Sequence, residues 1–197
     1  IVKALLYIAR TGSIRGGSTI TQQLVRNIDR TGVTAEQTVS RKLNEALIAI
    51  QLEREFTKDE ILELYLNQIF LGISAYGVEA ASQQYFAKSC RDLTLAESAL
   101  LAGLTRSPTK IQPLANPKNA LTRRNIVLGQ MLEHRLITQE QYDEAIAATV
   151  EESVVTKEER ETLRAKDASG WQVSRAGYFV EEVRRLLSNT ATVGEPR

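Results

Sequence analysis

At Thr34…Gln37, Thr57…Glu60, Thr94…Glu97 and Thr138…Gln141 a threonine is followed three residues later by glutamate or glutamine, just where an apolar helical periodicity begins. In such a pair the hydroxyl accepts from the backbone N–H three residues on, and the longer side chain reaches back to the threonine's own N–H. Both orphan donors of a helix start are then satisfied. Strands have no use for that pairing. The pattern predicts helices over about 2–11, 19–29, 35–56, 58–71, 75–87, 95–105, 118–135 and 139–148, a mostly α fold. Pro108, Pro113 and Pro117 cannot be threaded by a helix and predict an ordered loop over 106–117.

A chain of 197 residues with 43% hydrophobic content can bury one main domain. The compact part is expected over 1–150 and a linker segment over 151–197: Thr149 to Thr156 is β-branched and expected to be briefly extended, and 157–166 is mostly charged or polar. A last amphipathic helix is expected over 178–187. The 25 basic and 24 acidic residues leave a net charge of +1, so no overall field draws nucleic acid and any anion recognition must be local. One cysteine, Cys90, excludes an internal disulfide and a cysteine metal cluster. No apolar run approaches the ~18 residues of a membrane span. The opening Ile1–Arg10 is amphipathic with no capping residue ahead of it, which points to a piece of something longer.

The chemistry concentrates in Arg15-Gly16-Gly17-Ser18-Thr19-Ile20-Thr21-Gln22-Gln23-Leu24-Val25-Arg26-Asn27. A glycine turn entering a helix gathers free N–H groups and the positive end of the helix dipole. Thr19, Gln22, Gln23 and Arg26 share a face at i, i+3, i+4 spacing, and Ser18 and Asn27 add further hydrogen-bonding groups. A plain N-cap needs far less. The second constellation is Arg41, Lys42 and Glu45, with Val39, Leu43, Leu47 and Ile50 as the expected buried stripe of their helix. Two cations suit a diphosphate, and the carboxylate suits managing a proton or orienting a cation; equally, such charges often form a solvated face. On the next helix Leu62, Leu66 and Ile69 read as core, while Tyr65 and Asn67 are either polar ends of that core or site residues. His134 sits near a helix end, as a cap. The pairs Arg123-Arg124 and Arg184-Arg185 read as solvated helix faces.

In this order these segments resemble the peptidoglycan glycosyltransferase family, the domain of class A penicillin-binding proteins and of monofunctional transglycosylases. GGSTITQQLVRN at 16–27 is similar to the family's second motif, RKLNE at 41–45 to its third, KDEILELYLN at 58–67 to its fourth and RRNIVL at 123–128 to its fifth. The first of these is highly specific; RKxxE means little alone. The resemblance implies a lysozyme-like helical domain on the outer face of the bacterial cytoplasmic membrane, polymerising lipid II into a growing glycan strand. An acceptor 4-hydroxyl attacks C1 of the donor sugar with inversion and undecaprenyl diphosphate leaves. It implies substrate binding by Ser18, Thr19, Gln22, Gln23, Arg26, Asn27, Arg41 and Lys42, and a catalytic role for Glu45 as second carboxylate. Its only cofactor candidate is Mg²⁺ at the substrate diphosphate, which no carboxylate cluster in this sequence demands.

Two departures stand out. The family's first motif, Glu-Asp-x-x-Phe-x-x-His-x-Gly, carries the general base and is absent; removing such a base typically costs ~10²–10⁴-fold in rate. The usual lysine before asparagine in the second motif is Arg26 here, which keeps the charge and changes its geometry. A lysozyme-like glycan-cleaving enzyme and a non-enzymatic module that holds lipid II or glycan are the alternatives. The cleaving enzyme has no use for three cations at an uncharged leaving group.

Overall fold

A computed structural model of the chain describes residues 18–28, 39–149, 154–156, 158–159 and 161–162. The expected helix over 2–11, the Gly16-Gly17 turn, the Thr34…Gln37 pair, Arg184-Arg185 and the 178–187 segment lie outside these residues, as do the side chains of Val39 and Arg41. The helices are α1 (Ile20–Ile28), α2 (Val39–Glu55), α3 (Lys58–Gln68), α4 (Val78–Phe86), α5 (Leu95–Leu104), α6 (Pro117–Glu133) and α7 (Gln139–Ala147), with a 3₁₀ turn over Cys90–Asp92. The fold is mostly α, and α3, α5 and α7 start where the caps at Thr57, Thr94 and Thr138 predict. Thr94 with Glu97 and Thr138 with Gln141 form complete capping boxes. At Thr57 the N–H donates to Glu60 Oε2 at 2.8 Å and the Glu60 N–H returns to Thr57 Oγ1 at 3.3 Å.

The chain divides between Gln68 and Ile69 into two compact units, with α1–α3 in one and α4–α7 in the other. In the first, α1 packs on both α2 and α3. Leu24 and Val25 of α1, Ala49 and Leu52 of α2, and Ile61 and Leu64 of α3 are buried.

Here the expected stripe on α2 is corrected. Leu43, Leu47 and Ile50 are 50%, 57% and 37% exposed, while Glu45, Ala49 and Leu52 face inward. The cause is polar. Lys42 and Glu45 reach toward the start of α1, and the Thr21 hydroxyl on α1 donates to Glu53 Oε1 at 2.7 Å. Positions 42, 45, 49, 52 and 53 lie on one helical face, so these anchors fix the rotation of α2. Leu62 and Leu66 of α3, also read as core, are exposed; Ile61, Leu64 and Tyr65 are buried in their place, and Ile69 is buried as expected.

Helix α3 stops at Gln68, short of the expected 71, because the chain turns back. Phe70 bridges Tyr76, and Gly72, Ile73 and Ser74 all take positive φ, at 92°, 41° and 62°. The Tyr85 hydroxyl donates to the Leu71 carbonyl at 2.9 Å, and a Cβ on Gly72 would lie 2.7 Å from that hydroxyl. Only glycine fits there. The expected extended stretch after Ala148 pairs with no strand among the described residues; the Val155 N–H instead donates to the Tyr85 carbonyl at 2.8 Å.

In the second unit α5 packs on α6, with Gly103 against the stem of Arg123 and a would-be Cβ 3.0 Å from its Cγ. Arg124 corrects another expectation. It is 2% exposed and far from a solvated face. Its guanidinium donates to the carbonyls of Ile146 (3.0 Å) and Ala148, and its Nε to Asn125 Oδ1 (3.0 Å). One side chain thus satisfies carbonyls at the C-terminal end of α7 that the helix cannot satisfy itself. Arg124→Met should cost about 2–4 kcal/mol, because two carbonyls lose charge-assisted donors in a buried setting. Urea denaturation checks it; a loss under about 0.5 kcal/mol contradicts the capping role.

Candidate functional site

The sequence between Gly17 and Ile20 is built to open a helix. Thr19 is the N-cap of α1: its Oγ1 accepts from the Gln22 N–H, and its own N–H donates to Gln22 Oε1, each at 3.2 Å. This reciprocal pair is the same signal as at Thr57, Thr94 and Thr138, and it turns the Gln22 carboxamide back on the helix end. Gln22 is accordingly buried and Thr19 half-buried. The residue just ahead of the cap is Ser18, whose Oγ accepts a 2.7 Å hydrogen bond from Lys42 Nζ.

Lys42 joins two distant parts of the sequence. Its ammonium also meets Glu45 Oε2 at 2.8 Å, one turn along α2. The carboxylate side chain is 6% exposed and the lysine side chain 21%. Burial this deep makes the pair structurally consequential, since breaking a buried ion pair is costly. An ammonium carries three N–H donors, and two are engaged here. The third has no partner among the described residues.

Lys42 is held against the start of α1, where the backbone N–H groups and the helix dipole present positive potential. Arg26 lies in the last turn of the same helix and is exposed. Glu45 offsets Lys42, and Glu53, held by Thr21, stands near the same helix start. An anion arriving at the Ser18–Lys42 end would meet the local donors of the ammonium and the helix start.

One turn further along α1, the Tyr65 hydroxyl on α3 donates to Gln23 Oε1 at 3.3 Å. Tyr65 is buried, which pushes its phenol above the ordinary range, while the nearby charge of Arg26 pulls it partly back. The phenol therefore stays protonated at neutral pH and acts as a donor. Asn67, left open beside it, points elsewhere: it is exposed, and its Nδ2 donates to the Glu63 carbonyl of its own helix at 2.9 Å.

The structure thus brings Ser18, Lys42 and Glu45 into direct contact and sets Gln23 and Arg26 beside Tyr65. Asn27 is half-buried on α1 with no hydrogen bond among the described residues, and Arg41 lies on α2 with its side chain outside them. Sequence reading missed the role of Thr21, whose hydroxyl ties α1 to Glu53. No periodicity could have found that bond, since its partners are 32 residues apart.

A protein-held Mg²⁺ does not fit this donor set. Among the described residues no three His, Cys, Asp or Glu side chains stand together, and Glu45 already faces Lys42. A divalent ion prefers several free oxygen ligands. Elsewhere, His134 occupies the C-cap position of α6 and is exposed. Cys90 is a weak nucleophile near neutral pH: burial, with the Glu79 carboxylate beside it, pushes its thiol up to about 11.

Residues 1–132 match the family described as Transglycosylase. The chain is similar to Penicillin-binding protein 1A of Aquifex aeolicus, 54% identical over 147 residues, covering 74% of this chain and 20% of that protein. It is also similar to Penicillin-binding protein 1A of Pseudomonas aeruginosa, 43% identical over 203 residues, covering 98% of this chain and 24% of that protein. The chain therefore spans about a fifth to a quarter of the length of these relatives. The crystal structure of Penicillin-Binding Protein 1A from Haemophilus influenzae matches with a TM-score of 0.47 at 30% identity, covering 81% of this chain and 21% of that one.

The raised thiol gives a direct check. At pH 8 a thiol with a pKa near 11 holds roughly 200-fold less thiolate than a free one, and its higher intrinsic nucleophilicity returns about tenfold. Iodoacetamide should alkylate Cys90 roughly 10–20-fold more slowly than glutathione, the rate still climbing as pH rises past 9. Equal rates at pH 8 contradict the assigned environment.

Proposed function

The chain belongs to the transglycosylase family, and on that premise we propose that it carries the lipid-diphosphate-binding half of a site that polymerises lipid II into peptidoglycan glycan strands. The observation that carries this reading is the Lys42 ammonium, 2.7 Å from Ser18 Oγ and 2.8 Å from Glu45 Oε2 at the mouth of α1. A leaving diphosphate develops negative charge as the bond to C1 of the donor sugar breaks. Positioned cations and N–H donors in a partly dry site stabilise that charge more than they stabilise the ground state.

In this reading Lys42 is the fixed point charge, and Arg26 and Arg41 supply forked donors to further phosphate oxygens. Ser18 presents its hydroxyl beside Lys42, and Gln23 and Asn27 meet sugar or phosphate oxygens. Thr19 and Gln22 act through the cap: they keep the α1 N–H groups aimed at the ligand. Glu45 acts on the leaving-group side by holding Lys42 in place. The acceptor sugar's 4-hydroxyl attacks C1, its proton going to a general base, and undecaprenyl diphosphate departs. The resemblance assigns the general base to the family's first motif, and Glu45, bound by Lys42, to the leaving-group side. The natural setting of this chemistry is the outer face of the cytoplasmic membrane, with lipid II and the growing strand as partners. Among the described residues no helix is long and apolar enough to cross a membrane. Any Mg²⁺ would arrive with the diphosphate.

Binding and turnover separate the possibilities. In detergent micelles the chain should bind undecaprenyl diphosphate in clear preference to undecaprenol. Arg26→Gln should weaken that binding roughly 3–10-fold, and Lys42→Met by about tenfold or more. Arg26 is exposed, so its variant keeps the test independent of folding. Lipid II polymerisation by the chain alone should run ~10²–10⁴-fold below that of a domain with the first motif. Equal binding of diphosphate and undecaprenol would defeat the reading, and hydrolysis of preformed glycan without lipid II would replace it with a cleaving enzyme.

A further inference from the structure

Resting on that reading, we infer that Tyr65 is a positioning residue for the anionic ligand: its buried hydroxyl locks the Gln23 carboxamide so that α1 presents N–H donors, and not a carbonyl, beside Arg26. The two side chains come from different helices. Tyr65 is 6% exposed on α3, and Gln23 is half-buried on α1. The phenol donates to Gln23 Oε1 at 3.3 Å. Among the described residues Gln23 Nε2 has no hydrogen-bond partner.

A free carboxamide is ambivalent, because a rotation of its terminal torsion exchanges an acceptor for two donors. Facing an anion, the acceptor orientation is repulsive and the donor orientation attractive. A protonated phenol that occupies the oxygen removes the choice in advance. Donors held ready in this way are what binding a charged group favours, since little ordering remains to be done on association. The neighbourhood agrees with an anionic partner: Arg26, one turn from Gln23 on α1, is close enough for its charge to act on the Tyr65 phenol.

Burial alone does not demand the hydroxyl. Ile61 and Leu64 fill the inward face of α3 without polar groups, and a phenylalanine at 65 would bury the same ring. The added oxygen matters only through its partner.

The test is a double-mutant cycle read by binding of undecaprenyl diphosphate in detergent micelles. Tyr65→Phe should weaken binding about 3–10-fold, the scale of one ordinary net hydrogen bond. In a Gln23→Lys background, where the side chain is a donor whichever way it turns, Tyr65→Phe should change the affinity by less than about twofold. A merely structural tyrosine behaves otherwise: its loss lowers the melting temperature and weakens binding equally in both backgrounds, which would overturn the inference. So would a Tyr65→Phe chain that binds like its parent. A parent chain that binds neither undecaprenyl diphosphate nor lipid II sinks the underlying reading, and this inference with it.

Discussion

The first unit of this protein is organised around one ammonium group. Lys42 Nζ holds Ser18 just ahead of the start of α1 and Glu45 one turn along α2, and the carboxylate is nearly buried. Removing the cation would break a nearly buried ion pair, so the packing of α2 on α1 and the placement of positive charge depend on the same contacts. That dependence explains why α2 shows solvent its leucines and turns inward a face containing glutamate, alanine and leucine. Hydrophobic burial alone would have chosen the other side.

The same geometry fixes what the site can do. A cation close to a helix N-terminus repels the positive end of that helix unless an anion joins them. Glu45 and Glu53 offset the charges of Lys42 and Arg26, and what the mouth of α1 offers is donors, among them a Lys42 N–H with no partner among the described residues. Such donors suit a ligand that brings negative charge, and in the proposed reaction that is the leaving group.

Much of this was legible in the sequence. The capping pairs at Thr57, Thr94 and Thr138 are local, need no tertiary context, and place the starts of α3, α5 and α7. The polar stretch from Ser18 to Asn27 stands out because a bare helix entry needs few such groups, and Ser18, Thr19, Thr21, Gln22 and Gln23 do make side-chain hydrogen bonds there. Other features were hidden for definite reasons. Periodicity showed a stripe of Leu43, Leu47 and Ile50 on α2, but a helix with apolar groups on two sides does not reveal which side is covered; the long-range bonds to Ser18 and Thr21 decide it. Arg124 reads as one of a charged pair on a helix surface until its distant partners, the carbonyls of Ile146 and Ala148, are in place. Tyr65 and Asn67 look alike in sequence and diverge only when α3 packs on α1, one reaching Gln23 and the other its own backbone.

The claim on which the rest stands is that Lys42, held by Ser18 and Glu45, receives the diphosphate. It is tested most directly by NMR of the chain labelled at lysine side chains, with the Lys42 signal assigned by Lys42→Arg and undecaprenyl diphosphate or undecaprenol added in micelles. The account predicts that the Lys42 resonance moves with the diphosphate and stays still with the alcohol, while exposed Lys118 responds to neither. A Lys42 signal indifferent to saturating diphosphate would contradict it.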